Sequence, residues 1–298
     1  MVYLLICFFI FPVDPIHCLW NARVKAFISL NSTLQSIVAL GCAPITVSGL
    51  EAKFLADTAR KAVSEQRLLL KEYTNWMPKA EAEPTLRGGE YPVFACRKLL
   101  LYLKEMSALE ESVLDAMVKL HRPRENSPSV LVLDIMELIR PFMIDAAKIV
   151  HRFFQSVIDA TESPLQWSME DALNTAWKAQ LACRSLKRVT GNIQRNFFAA
   201  YQELSPDEKH QLNPYWSSSR MVSPRPEYEF SSTKSFDDDT IQRFLTLSFH
   251  LSAKSLLFNE DVAAFNTIVT VFDLILRVMG RILPHMIAIH EFERSRFV

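Results

Sequence analysis

Apolar residues recur at steps of three and four along nearly the whole chain, and that period predicts helices rather than strands. A first stripe runs from Trp20 through Val24, Phe27, Leu30, Leu34 and Ile37 and ends near Gly41 and Pro44. Thr46 to Gly49 offers a cap region, and Leu55, Ala59, Ala62, Leu69, Tyr73 and Trp76 follow. Residues 77–92 interrupt the pattern with Pro78, Pro84, Pro92, Gly88 and Gly89, which predicts a loop. Beyond it come Leu99, Tyr102, Met106, Leu109, Val113, Met117 and Leu120, closed by Arg122-Pro123.

A second loop over 122–129 leads to Leu131, Ile135, Leu138, Phe142, Ala146, Ile149, Phe153 and Val157. Pro141 lies inside that stripe and predicts a kink or a break there, because it lacks an N–H and clashes with the preceding turn. After Ser168 the stripe Leu173, Trp177 and Leu181 drifts onto Leu186, Val189, Ile193, Phe197 and Ala200. Each stripe is expected to bury its own face and leave Lys, Arg, Glu and Gln outside. Residues 205–239, with Pro206, Pro214, Pro224, Pro226 and many serines, are expected to be an irregular surface loop. Two helical stretches then begin near Phe236, and the last carries Val262, Phe265, Val269, Phe272, Leu276, Met279, Leu283 and Met286. Its alternating steps form a heptad-like seam. The expected fold is all-α: a bundle of about six to eight long antiparallel helices without a sheet.

One segment stands apart from the periodic pattern. Val2–Val13 is an uncharged apolar run that stops at Asp14-Pro15. A spanning helix needs about 20 apolar residues, so this run reads as the end of a truncated membrane helix. The chain then divides into residues 1–13, a membrane-helix end, and residues 14–298, a cytosolic helical bundle domain carrying the loop at 205–239. A signal peptide fits less well, since no Lys or Arg precedes the run and no small-residue cleavage site follows it. Arg23 and Lys25 just beyond the run agree with a cytosolic side under the positive-inside rule. Residues 262–289 are not expected to span, because Asp273, Arg277 and Arg281 fall near their middle. A charge at that depth costs about 2.5 kcal/mol or more.

Composition narrows the chemistry. Hydrophobic residues make up 49% of the chain, ample for a core. With 33 basic and 33 acidic residues the formal charge is zero, which argues against a nucleic-acid partner. Six glycines leave almost no supply for phosphate-cradling loops or a G-x-S-x-G elbow. Cys7, Cys18, Cys42, Cys96 and Cys183 are scattered, which suggests neither a disulfide framework nor a zinc site. Among the seven histidines only His285 and His290 are close, and five residues apart they do not share a helix face. Asp237-Asp238-Asp239 reads as a helix N-cap cluster rather than a cation site, since exposed amides there favour acidic side chains. The serines at 217–219, 223, 231, 232 and 235 read as loop composition, and Asn31-Ser32-Thr33 as a chance sequon. Trp76, Trp167 and Trp177 are expected in the core. No catalytic residue, cofactor-binding residue or metal ligand is assigned, no cofactor is expected, and the chain is not read as an enzyme.

The order of these features resembles a known family. The Phe8-Phe9-Ile10-Phe11-Pro12 stretch, an amphipathic helix to Leu40, and a second helix to Trp76 precede the loop residues Glu83-Pro84 and Gly89-x-Tyr91-Pro92. This arrangement resembles the group of fusaric-acid-resistance proteins, aromatic acid exporters and aluminium-activated malate transporters. The motif-bearing part covers roughly residues 1–120, and four places after Pro92, where members often carry an aromatic residue, this chain has Cys96. The resemblance implies a cytosolic helical region attached to membrane helices that carry organic or aromatic anions. Its partners would be the membrane and the rest of the transporter or a like subunit, and its work assembly or regulation. The competing expectation is a soluble helical scaffold or adaptor.

Overall fold

Asp14 sets where the first helix starts. Its backbone is extended and its carboxylate accepts the His17 N–H at 2.9 Å, with Pro15 opening the helix behind it. This is a computed structural model, and it describes residues 14–43, 49–82, 91–121, 130–162, 167–203 and 259–297. The run at 1–13, most of the Glu83–Pro92 motif, the 205–239 loop, the Asp237–Asp239 cluster and the helical stretch before 259 lie outside the described residues. Six helices occupy what is described: α1 (Pro15–Gly41), α2 (Gly49–Glu81), α3 (Val93–Leu120), α4 (Val130–Glu162), α5 (Met169–Glu203) and α6 (Asn259–Phe297). Among the described residues there is no strand, and the fold is an all-α helical bundle.

Cross-helix contacts set how neighbours run. Trp20 meets Thr161, Asn31 meets His151, and Gln35 meets Ala147, so α1 and α4 run in opposite directions. Gln66 meets Glu110 while Glu81 meets Arg97, which orients α2 against α3 likewise. Helix α1 packs on α2, α3 and α4, and α6 packs on α3, α4 and α5. These two helices supply much of the fully buried interior. Leu19, Ala26, Phe27, Leu30, Leu34, Ile37 and Leu40 come from α1, and Ile268, Ile275, Val278, Met279, Ile282 and Ile289 from α6. Helix α6 is thus buried over a wider arc than a two-stranded seam requires, because it touches three neighbours. Gly41, the last residue of α1, permits a close approach: a Cβ there would stand 2.6 Å from Met117 Cε.

Three sequence expectations are corrected. The chain does not leave the helix at residue 77. Helix α2 continues through Pro78 to Glu81, because Met77 and Ala80 are buried and Glu81 is held by Arg97 of α3. Of the two outcomes expected at Pro141, a kink or a break, the break does not occur: helix α4 runs from Val130 to Glu162. The third correction concerns which face of α5 is inside. Leu173 is 51% and Trp177 54% exposed, and Ala172, Ala176 and Ala179 are buried instead. Small residues let a helix axis come close to its neighbours, here α4 and α6, so bulk does not decide the buried face. A milder rotation affects α2: Ala56, Val63, Leu70 and Met77 are buried, while Leu55 and Trp76 only flank the core.

Candidate functional site

The polar residues inside the bundle are few and grouped. Arg23 on α1 is completely buried, and its Nη2 donates to Glu293 Oε1 of α6 at 2.5 Å. Its Nε and Nη1 make no hydrogen bond. Around the guanidinium stand Tyr73 of α2, Tyr91 ahead of α3 and Cys96 in its first turn. Burial is the largest single influence and works against the Arg23 charge, but the Glu293 carboxylate together with Tyr73, Tyr91 and Cys96 outweighs it, so the guanidinium is held even more firmly protonated than usual. The Tyr73 hydroxyl approaches the guanidinium without completing a hydrogen bond. Tyr91 accepts from the Cys96 thiol at 3.2 Å and sets its ring edge-on against Phe292 at 5.4 Å.

Burial pushes both tyrosines well above their ordinary range and raises Cys96 as well. A raised thiol remains protonated and is a poor nucleophile. This cluster therefore joins four helices and activates no group for attack.

A second group lies between α2 and α3. Gln66 and Glu110 are fully buried, and Gln66 Nε2 donates to Glu110 Oε2 at 2.7 Å. Burial raises the Glu110 carboxyl well above the usual carboxylate range, with the Gln66 bond only partly opposing it. One helical turn from both residues, a groove of about 290 Å³ opens to the surface, lined by Arg67, Leu70, Lys71, Thr74, Lys104 and Ser107. Arg67 pairs with Glu111 at one edge.

The described histidines mostly pack. His17 stacks on Trp20 at 5.3 Å, and His151 Nδ1 meets the Asn31 amide at 2.8 Å. His285 stacks on Tyr102 at 5.6 Å, and burial followed by the nearby Lys98 charge lowers its pKa. His290 stands edge-on to Trp167 at 4.5 Å, and burial lowers it too, against the Ala160 carbonyl. Among the described residues no three His, Cys, Asp or Glu side chains converge to hold a metal ion. The charges within 262–289 are paired. Asp273 meets Arg277 at 3.0 Å and Lys187 at 3.6 Å, and Arg281 meets Glu105 at 3.2 Å. Of the three tryptophans expected inside, Trp76 and Trp167 are partly buried and Trp177 is exposed.

Periodicity carried an overlooked signal for these groups. Arg23 stands four residues from Leu19 and four from Phe27, on the apolar stripe itself. Glu110 stands in the same way between Met106 and Leu114, and Gln66 follows Val63 and precedes Leu70. A polar residue on a core stripe marks a buried contact, but its partner is not readable from the stripe. No protein-family model, curated protein or solved structure matches this chain.

Proposed function

We propose that the chain is the cytosolic helical domain of a membrane transporter-like protein for organic or aromatic anions, with the end of its last membrane helix at residues 1–13. In this reading residues 14–298 form one antiparallel bundle of long helices that assembles or regulates the pore and catalyses nothing itself. Asp14 supports the division, because α1 begins afresh there with its own cap rather than continuing the apolar run. Among the described residues no helix is long and apolar enough to cross a membrane.

The observation that carries the assembly role is a ladder on α5. Met169, Leu173, Trp177 and Leu181 follow one another at intervals of four and are all exposed. A contiguous exposed apolar row of this kind marks an interaction surface. The partner is a like subunit, because the row is flanked by charge of opposite sign at its two ends. Glu170 and Asp171 stand at the start, and Lys178, Arg184 and Arg188 stand further along. Two such rows laid head to tail bring each acidic end beside a basic one.

Two measurements test this. Carbonate-resistant membrane association of the full chain, lost on deleting residues 1–13, supports anchoring, whereas recovery of the full chain in the soluble fraction favours the scaffold reading. Sedimentation of the detergent-solubilised chain is expected to show an oligomer that Trp177→Glu dissociates. A monomeric wild type removes the assembly role.

A further inference from the structure

We propose that the groove between α2 and α3 binds a small oxyanion, the phosphate or carboxylate group of a ligand, on Lys71, Lys104 and the Ser107 hydroxyl. The inference stands apart from membrane anchoring and from subunit assembly, since none of its residues belongs to the apolar run or to α5.

The first support is an excess of cations in one cavity. Three of the six lining residues are basic. Arg67 is partnered by Glu111, but a guanidinium carries five N–H donors and one contact leaves others for the groove. Lys71 and Lys104 are exposed and meet no carboxylate among the described residues. The acidic residues beside them in sequence are already engaged: Glu72 with Lys25 at 3.4 Å, and Glu105 with Arg281. Burial raises the Glu110 carboxyl, behind the groove, well above the usual carboxylate range, which favours its neutral form over one that would oppose the lysines. The chain as a whole is uncharged, so this local surplus is a property of the groove.

The second support is independent of charge. Ser36, Ser64 and Ser112 each donate to the carbonyl four residues earlier, which is how a helical serine satisfies itself. Thr74, on the groove wall, does the same toward the Leu70 carbonyl at 2.7 Å. Ser107 does not: it is only 7% exposed, lines the cavity, and has no hydrogen-bond partner among the described residues. A hydroxyl that lines the same cavity as Lys71 and Lys104 and donates to no carbonyl is a donor available to an anionic oxygen. Leu70 supplies an apolar wall that lowers the local dielectric and strengthens each contact. About 290 Å³ sits at the small end of ligand sites, enough for one compact molecule.

The test is calorimetric titration of the full chain at low ionic strength with three probes: inorganic phosphate, succinate and a short-chain water-soluble phosphatidic acid. Saturable binding of at least one probe is expected, weakened tenfold or more by Lys71→Gln with Lys104→Gln and unaffected by Lys61→Gln. Both groove lysines are exposed, so the double variant keeps the fold, which an unchanged far-ultraviolet dichroism spectrum checks. Ser107→Ala is expected to weaken binding roughly tenfold, the scale of one hydrogen bond to a charged group. Tighter binding of the phosphatidic acid than of phosphate assigns the site to a lipid headgroup, and equal or weaker binding assigns it to a free ion. Absence of saturable binding with all three probes, or equal binding by the double variant, overturns the proposal.

Discussion

Arg23 occupies a position where the stripe on either side calls for an aliphatic side chain, and Glu293 is the reason it is tolerated. Neither group can return to water without opening the bundle, so removing one strands the other. Glu293→Ala is expected to lower stability by about 3–5 kcal/mol, while Glu72→Ala, at the exposed pair with Lys25, changes it by about 1 kcal/mol or less. Urea unfolding of the two variants checks the contrast. The double change Arg23→Met with Glu293→Leu is expected to recover much of the loss, because two apolar groups need no partner. Glu110 gives a second residue-scale prediction. Its carboxyl is raised in the folded chain, so between about pH 4.5 and that raised value the folded state holds a proton the unfolded state has lost. Stability from this residue therefore falls as pH rises through that window. Glu110→Gln removes the dependence and is expected to leave the protein about 1–3 kcal/mol more stable than wild type at pH 8, with little difference near pH 4.5. Denaturation midpoints at the two pH values decide it.

At the scale of elements, α5 shows how helix bulk and helix burial separate. Its apolar stripe is real, yet its alanines face α4 and α6. Ala176→Leu is expected to cost about 1–3 kcal/mol through overpacking, and Leu173→Ser to change the stability of the monomer by about 0.5 kcal/mol or less. Thermal unfolding of dilute protein distinguishes this from the opposite order, which the stripe alone would predict. Pro141 and Pro78 teach a related lesson about breakers. Proline removes one helical hydrogen bond, and packing on either side restores the helix when enough apolar surface is buried. Met143, Ala146 and Ala147 follow Pro141 and are all buried, as Ala80 is after Pro78.

Across the whole molecule, His285 and His290 bind α6 into aromatic contacts with α3 and with the segment leading into α5. Both have lowered pKa values, so below about pH 6.5 the unfolded chain takes up protons that the folded chain resists. Stability from these two residues is complete above that value and is lost as pH falls through it, opposite in sign to Glu110. Replacing both by Gln is expected to flatten the decline between about pH 6.5 and 5.5, measured as the denaturation midpoint in urea.

Periodicity alone pointed to helices and laid a stripe on each of the six described ones, although the last stripe stops at Met286 while α6 runs on to Phe297. Val24, Phe27, Leu30, Leu34 and Ile37 are all buried as their stripe predicts, as are Phe272, Leu276, Met279, Leu283 and Met286. That much is local, because a 3.6-residue repeat must present one face whatever it meets. Only the tertiary structure decided which face that is when neighbours compete for it, as α5 shows. It also decided the polar contacts. Arg23 and Glu293 are 270 residues apart, and Lys71 and Lys104 come to one groove from different helices. A local pattern records that a side chain is buried or charged, but its partner is set by how helices pack, and that depends on all of them at once.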